Sequence, residues 1–457
     1  MTERNQYLLH AVGWISASIA FNIANTVVYG TLYPKLLQSI SADFFDNVFS
    51  IVNSLTTFAS SFLLPSLGVA FDKRVAIKST MVISGLTACM LSALLPFAEQ
   101  GMAPFAALLL TSVVYVLAMF FLRTLVMNDN ALLFFFPEAS RVTLSLVNNF
   151  VGFGLSLGNL ILFNSDTFSD DSIGSLIVYA TLLCFLFTLL SVCAPSDLDH
   201  REPGQESFLQ ALKGSVAELL RTAKLVSVEP DLKQVATFLV AYLLFSASGT
   251  IYTIYLVILY SVEFDYTLTQ TFNLQIMYYI AMVSGVVVGI GMDAIMKSKA
   301  KMNRLHVDIV TQQVVNVLIG FVLVINLYSF AAKRETLSRA LSACMGFLYS
   351  YQASVARGIL AKIMRGDLKC QLSGLYSSAT YISISICSVV YAVLASSSVD
   401  TGVALLGVLL VCLGPSYYIL PHCLPRKYVN TGEGVQMVDE DEADLEEGNA
   451  PTEYGSQ

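Results

Sequence analysis

Gly68-Val69-Ala70-Phe71-Asp72-Lys73-Arg74 ends a long apolar run on a carboxylate and two cations. The pattern returns at Gly289-Ile290-Gly291-Met292-Asp293, with Lys297, Lys299 and Lys301 just beyond. Each copy reads G-x-x-x-D and closes the second hydrophobic segment of its half. A charged residue at the end of a membrane helix is common, so one copy would carry little weight. Two copies at matching positions point to a duplicated membrane domain.

The composition agrees. The chain has 457 residues, is 55% hydrophobic and only 13% charged, and its mean hydropathy is +0.67. A soluble protein carries roughly 25% charged residues. Segments of about 18 or more mostly apolar residues recur from end to end, each long enough to cross ~30 Å of hydrocarbon. Backbone polar groups in lipid must be satisfied internally, so these segments are helices. Twelve spans read at about 8–34, 47–71, 77–97, 103–126, 139–163, 173–194, 234–260, 269–292, 306–328, 338–363, 371–396 and 401–421. Spans 338–363 and 371–396 are polar for lipid-facing helices. The eight cysteines form no C-x-x-C and the four histidines sit at segment ends, so no metal, cofactor or disulfide frame is expected. The first span is too long for a signal h-region and should stay in the membrane. No nucleophile–base set or phosphate loop is visible, so an enzyme is not expected.

Charge supports the count. With both termini in the cytosol, only Lys35, Lys333, Arg334 and Arg339 of the 25 basic residues fall on the opposite side, leaving 21 (25 − 4) cytosolic. The opposite side is acidic, with Asp43, Glu99, Asp170, Glu263 and Asp400 among others. The positive-inside rule expects this asymmetry. The Lys333-Arg334-Glu335 loop stands outside it.

Residues 1–194 therefore read as one six-helix half and 234–424 as the other. Between them, 195–233 is a cytosolic linker. Phe208, Leu209, Leu212, Val216, Leu219, Leu220 and Ala223 recur there at helical spacing with Lys213, Arg221 and Lys224, as in an amphipathic helix on the membrane face. Glu229-Pro230-Asp231 separates it from the seventh span. Residues 425–457, with the acidic run 439–447, read as a disordered cytosolic tail. Its expected role is solvation, with trafficking or partner binding as the alternative.

Six plus six spans, a long central linker and G-x-x-x-D-[KR] after span two resemble the plan of the major facilitator superfamily. The family motif runs G-x-x-x-D-[RK]-x-G-[RK]-[RK]; Gly68, Asp72 and Lys73 match, while the second glycine is missing. A small residue lets two helices approach closely. The aspartate can then meet the positive end of a neighbouring helix, or an arginine such as Arg141 or Arg123. Gly68, Asp72, Lys73, Arg123, Arg141, Gly289, Asp293 and Arg357 are the candidate conformational gate.

Substrates of such folds bind near the midplane between the halves. Asn22, Asn25 and Tyr29 share one face of span one; Asn149 lies in span five, Ser248 and Tyr252 in span seven, and Gln352 in span ten. These are the candidate substrate residues, with helix–helix hydrogen bonding as the alternative for each. No Asp, Glu or His stands near the middle of a span. Facilitated diffusion of a neutral or zwitterionic solute is the simplest mechanism, with charge at Arg123 or Arg357 only toward the cytosolic side. Expected partners are a small solute and the bilayer, not nucleic acid. A receptor or scaffold that kept a transporter fold is the alternative class.

Several stretches resemble the autophagy-related vacuolar amino-acid effluxers within that superfamily. They are Gly13-Trp14, Ala24-Asn25-Thr26 and Tyr33-Pro34 in span one, and Arg141-Val142-Thr143 with Gly152 and Gly154 in span five. Phe238-Leu-Val-Ala-Tyr242 with Ser248-Gly249 in span seven is similar too, as are Gln352 to Arg357 and Ser373-Gly374-Leu375-Tyr376. That family carries an acid in span one, which falls here on Ser18 or Asn22, and another in span seven, which falls on Ala247 or Ser248. Neither position holds a carboxylate. Leu413-Gly-Pro-Ser-Tyr417-Tyr418 and Gly68 to Asp72 are also similar to the system-L-type facilitators, which are uncoupled. Both resemblances imply amino acids as substrate, whereas a sugar or nucleoside is the alternative. The membrane is the plasma membrane or the vacuolar or lysosomal membrane.

Overall fold

The computed structural model describes residues 11–16, 61–72, 133–136, 140–164, 208–299, 304–365, 368–395, 400–423, 427–431 and 434–438, with scattered shorter pieces between 19 and 190. Among these residues the long helices are α1 (Ser61–Asp72), α2 (Arg141–Asn164), α3 (Phe208–Leu225), α4 (Pro230–Phe264), α5 (Leu268–Lys299), α6 (Arg304–Ala331), α7 (Glu335–Ile363), α8 (Lys369–Ala395) and α9 (Thr401–Ile419). α4 to α9 are spans seven to twelve. α7 is flanked by α5 and α6, α9 bridges α6 and α4, and α8 lies on α4. α2, from the first half, packs on α5 and α7.

The polar character of α7 and α8 has a packing cause. Ser338, Ser342, Ser350, Gln352 and Ser354 of α7, and Gln371, Ser373 and Ser377 of α8, are buried in protein. Apolar faces turn outward instead on α6, where Val314, Phe321 and Val324 are exposed. Four described helical stretches are long and apolar enough to cross a membrane by composition alone: Pro230–Thr253, Asn273–Ile295, Leu305–Ala331 and Gly402–Cys423.

The basic loop Lys333-Arg334-Glu335 finds its reason in three helix ends. Lys333 takes a left-handed φ of 52° between α6 and α7. Its ammonium pairs with the Glu263 carboxylate and lies 3.4 Å from Asp400 Oδ2. Glu263 also accepts the Gly402 N–H at 2.9 Å, and Asp400 caps α9 by accepting the Val403 N–H at 3.1 Å. One lysine thus ties α4, α6 and α9 together. The hydrogen bond to Glu263 holds the Lys333 ammonium above its usual range. Burial pushes the Asp400 carboxyl up, but the Val403 N–H and Lys333 outweigh it and leave it below the usual range. A depressed carboxyl contributes stability above its unfolded pKa and loses it as pH falls through the folded one, and Lys333 stays charged throughout that window. Lys333→Ala is therefore expected to lower stability by about 1 kcal/mol, as for a half-exposed pair. The deficit should be equal at neutral pH and at about pH 5, above the carboxylate range. Thermal unfolding of both proteins at the two pH values checks this; a deficit that disappears at the lower pH would refute it.

α3 (Phe208–Leu225) ends before Pro230 opens α4 as a separate helix. In the expected tail, Lys427–Thr431 and Gly434–Val438 pair as an antiparallel hairpin rather than staying unstructured. Tyr428, Val429, Val435 and Val438 favour strand pairing, and only Gly432 and Glu433 connect the strands. The acidic run 439–447 lies outside the described residues.

Candidate functional site

α1 and α8 cross at two glycines. A Cβ on Gly68 would lie 2.4 Å from the Cys370 carbonyl oxygen, and one on Gly374 would lie 2.7 Å from the Leu64 carbonyl oxygen. This approach carries the Asp72 carboxylate to the first turn of α8. Oδ1 accepts the Cys370 N–H at 2.9 Å and Oδ2 accepts the Gln371 N–H at 2.7 Å. A helix start leaves such N–H groups without intrahelical acceptors, and its dipole favours an anion there. The aspartate meets a helix end, the first of the two partners that its sequence context suggested.

The second copy is built as a mirror. A Cβ on Gly289 would lie 2.6 Å from the Tyr351 ring and 3.0 Å from Leu146 of α2. Asp293 accepts a hydrogen bond from Thr143 Oγ1 at 2.5 Å, two residues into α2. In each half, the aspartate that ends the second span meets the opening turn of the fifth span of the other half. Arg141 joins this layer through carbonyls: it donates to Phe134 O at 2.8 Å, to Phe136 O at 2.9 Å and to Ala361 O at the end of α7. The Arg357 guanidinium stands 5.5 Å from the Trp14 ring centroid. Trp14, Leu64, Phe71 and Phe136 of the first half form one buried cluster with Ala361 and Cys370 of the second. Six of the eight gate candidates thus gather at the basic ends of the helices. Lys73 lies outside the described residues.

Arg123 is placed elsewhere. Instead of joining the gate, it lies over the Tyr381 ring, 4.1 Å from its centroid, and donates to Thr57 Oγ1 at 3.3 Å. Tyr381 stands eleven residues (381 − 370) beyond the gate along α8, about 16 Å of helix at ~1.5 Å per residue. Arg123 is 5% exposed. It is a cation held deep between the halves.

The second half brings phenols and hydroxyls to this level. Tyr242 of α4 stacks on Tyr376 of α8 with centroids 4.0 Å apart, and its hydroxyl meets Thr380 Oγ1 at 2.9 Å. Thr250 meets the Tyr349 hydroxyl at 3.1 Å. Asn149 of α2 donates to Ser354 Oγ of α7 at 2.7 Å across the two halves. Tyr242, Tyr376, Thr380 and Tyr381 are absent from the sequence-derived candidates. Two of them, Tyr242 and Tyr376, stand in the motifs that carry the family resemblance, which is the signal that could have found them.

Two candidates turn away from the centre. Tyr252 belongs to a closed ring of donors: Asn326 Nδ2 to Tyr252 at 2.8 Å, Tyr252 with Ser342 at 2.6 Å, Ser342 with Tyr260 at 2.9 Å, Tyr260 with Ser338 at 2.8 Å, and Ser338 to Asn326 Oδ1 at 3.1 Å. Each hydroxyl can give once and accept once in one direction round this ring, which commits every hydroxyl proton, that of Tyr252 included, to a helix–helix contact. Gln352 donates to Asn316 Oδ1 at 2.7 Å, and Asn316 to Ser416 Oγ at 3.2 Å, inside the second half. Both are helix–helix contacts. Ser248 is fully buried and donates to Phe245 O of its own helix at 2.7 Å. Asn22, Asn25 and Tyr29 lie outside the described residues. Gln352→Leu is expected to lower the thermal midpoint through loss of about 1 kcal/mol of interhelical bonding while leaving the transport KM unchanged. A KM shift without loss of stability would return Gln352 to the site.

Comparison with known proteins bears on both the fold and the family. Solved transporter structures match almost the whole chain: the major facilitator superfamily transporter FucP in the outward conformation (14% identity, 92% of this chain, 100% of that chain, TM-score 0.65), the human organic anion transporter TETRAN (14%, 92% and 100%, 0.64) and a bacterial homologue of the iron transporter ferroportin in an outward-facing state (13%, 93% and 99%, 0.63). At such identity they show the fold alone. No curated protein matches the chain by sequence. The family described as "Vacuole effluxer Atg22 like" matches residues 138–421. With that match over more than half of its length, on a major facilitator frame, the chain belongs to the vacuole effluxer Atg22-like family of membrane transporters.

Proposed function

We propose that the protein carries a small amino acid by facilitated alternating access, that its basic side and both termini face the cytosol, and that it works in the vacuolar membrane. One observation carries the substrate reading: Arg123 is held between the halves, stacked on Tyr381, at a level supplied with phenols and hydroxyls. A guanidinium matches a carboxylate through two parallel hydrogen bonds. Phenol faces suit the ammonium of the same zwitterion. The family's description supports the vacuole. The mirrored contacts of Asp72 and Asp293 support a state closed toward the cytosol. Opening that side requires both aspartates to release the helices they hold.

Counterflow into proteoliposomes with a panel of amino acids, sugars and nucleosides tests this. Exchange of labelled amino acid is expected without an imposed pH gradient, and Arg123→Gln is expected to raise KM about tenfold or more through loss of a charged hydrogen bond. Amino-acid silence with a clear sugar or nucleoside response would overturn the substrate. Exchange abolished by collapsing a pH gradient would overturn the facilitative mechanism.

A further inference from the structure

We propose that α3 seats on anionic lipid headgroups of the cytosolic leaflet, and that this seating acts on the Asp72 gate through Thr222 and Gln371. The inference rests on the reading of the basic side as cytosolic. In a helix packed on a soluble protein, the apolar stripe faces inward. α3 turns only part of that stripe inward, with Leu212 and Leu219 half-buried. Ser215 and Thr222, seven residues apart, are buried, whereas Val216 and Leu220 are each 61% exposed. Lys213 and Lys224 are exposed too. At ~100° per residue they stand only about 20° and 40° round the helix from Leu220. Glu218 lies about 160° from Leu220, where it pairs with Arg221 at 3.7 Å. An outward apolar strip edged by lysines, with the acid on the far edge, is complementary to an anionic bilayer surface.

The buried edge of α3 reaches the gate directly. Gln371 Nε2 donates to Thr222 Oγ1 at 3.0 Å, and the Gln371 backbone N–H donates to Asp72. One residue of α8, only 1% exposed, is held by the linker on one side and by the first half on the other. A lipid surface that fixes α3 holds Thr222 in place, and with it the end of α8 that Asp72 grips.

The full chain in nanodiscs provides the test, comparing phosphatidylcholine alone with phosphatidylcholine containing about one part in four of phosphatidylserine. Amide hydrogen exchange is followed over 208–225 and at 370–371. Both regions are expected to slow in the anionic discs, by on the order of tenfold for two lysines at such a surface. Lys213→Gln/Lys224→Gln should abolish the response in both. Thr222→Val should keep the response of 208–225 and lose that of 370–371. Equal exchange in the two lipids, a lipid response that survives neutralisation of both lysines, or protection of α3 with none at 370–371 in the unaltered protein would each overturn the proposal. Nanodiscs expose both faces, so the response does not depend on sidedness; protease access to segment 195–207 on sealed, isolated vacuoles reads that separately.

Discussion

Asp72→Ala is expected to move the protein out of the state closed on the basic side. It removes the acceptor of two N–H groups at the start of α8 and the anion that its dipole favours. Each buried N–H left without an acceptor costs about 1–3 kcal/mol, and the lost dipole term adds about 0.3–1 kcal/mol. Water enters as the side opens, so the net effect sits toward the lower end, about 2–3 kcal/mol, or roughly 30- to 150-fold in the closed-to-open ratio at ~1.4 kcal/mol per decade. Asp72→Asn keeps one acceptor oxygen and should fall between the two. Spin-label distances across the basic side, measured in the resting protein, read the populations. An unchanged distance distribution in Asp72→Ala would show that Asp72 caps α8 without gating anything. Asp293→Ala, which removes the acceptor of the Thr143 hydroxyl, should shift the same distances in the same direction.

Gly249→Ala should be the most damaging of the small substitutions. A Cβ there would lie 1.8 Å from Cδ2 of Tyr349. The ring must leave its place, and its hydroxyl then loses Thr250. Overpacking of this kind costs about 1–3 kcal/mol, and the lost hydrogen bond adds about 1 kcal/mol. A fall of several degrees in thermal midpoint is expected, with weakened transport because the same ring borders the tyrosine-lined centre. The double variant Gly249→Ala/Tyr349→Ala separates the causes. If the clash is the cause, the double variant is less destabilised than the sum of the singles. Strict additivity would mean that Gly249 serves some end other than admitting Tyr349.

The helix-end contact of Asp72 was more legible than the surroundings of Arg123, for a reason visible in the residues. Gly68 and Asp72 sit at the end of an apolar run, where few neighbours are available and a carboxylate has few ways to be satisfied. Helix periodicity groups residues on a face but does not say which helix that face meets. Tyr252 and Gln352 are polar residues in apolar spans, and both turn to neighbours in their own half. Arg123 failed differently. The polar run Asn128-Asp129-Asn130 makes the fourth span appear to end at 126, which puts Arg123 at its edge. Asn130 and Ala131 are still helical, and Arg123 lies well inside.

The order of apolar segments, the duplication of G-x-x-x-D and the sidedness of charge are properties of the chain alone, because each follows from transferring residues between water and hydrocarbon. They suffice for a two-halved transporter frame with paired aspartates at the basic ends. Which partner Asp72 takes, why Lys333 stands on the acidic side, and which ring Arg123 lies over depend on contacts between residues far apart in sequence. Those contacts exist only once the helices have packed at particular angles, and glycines such as Gly68, Gly249 and Gly289 set how closely they pack.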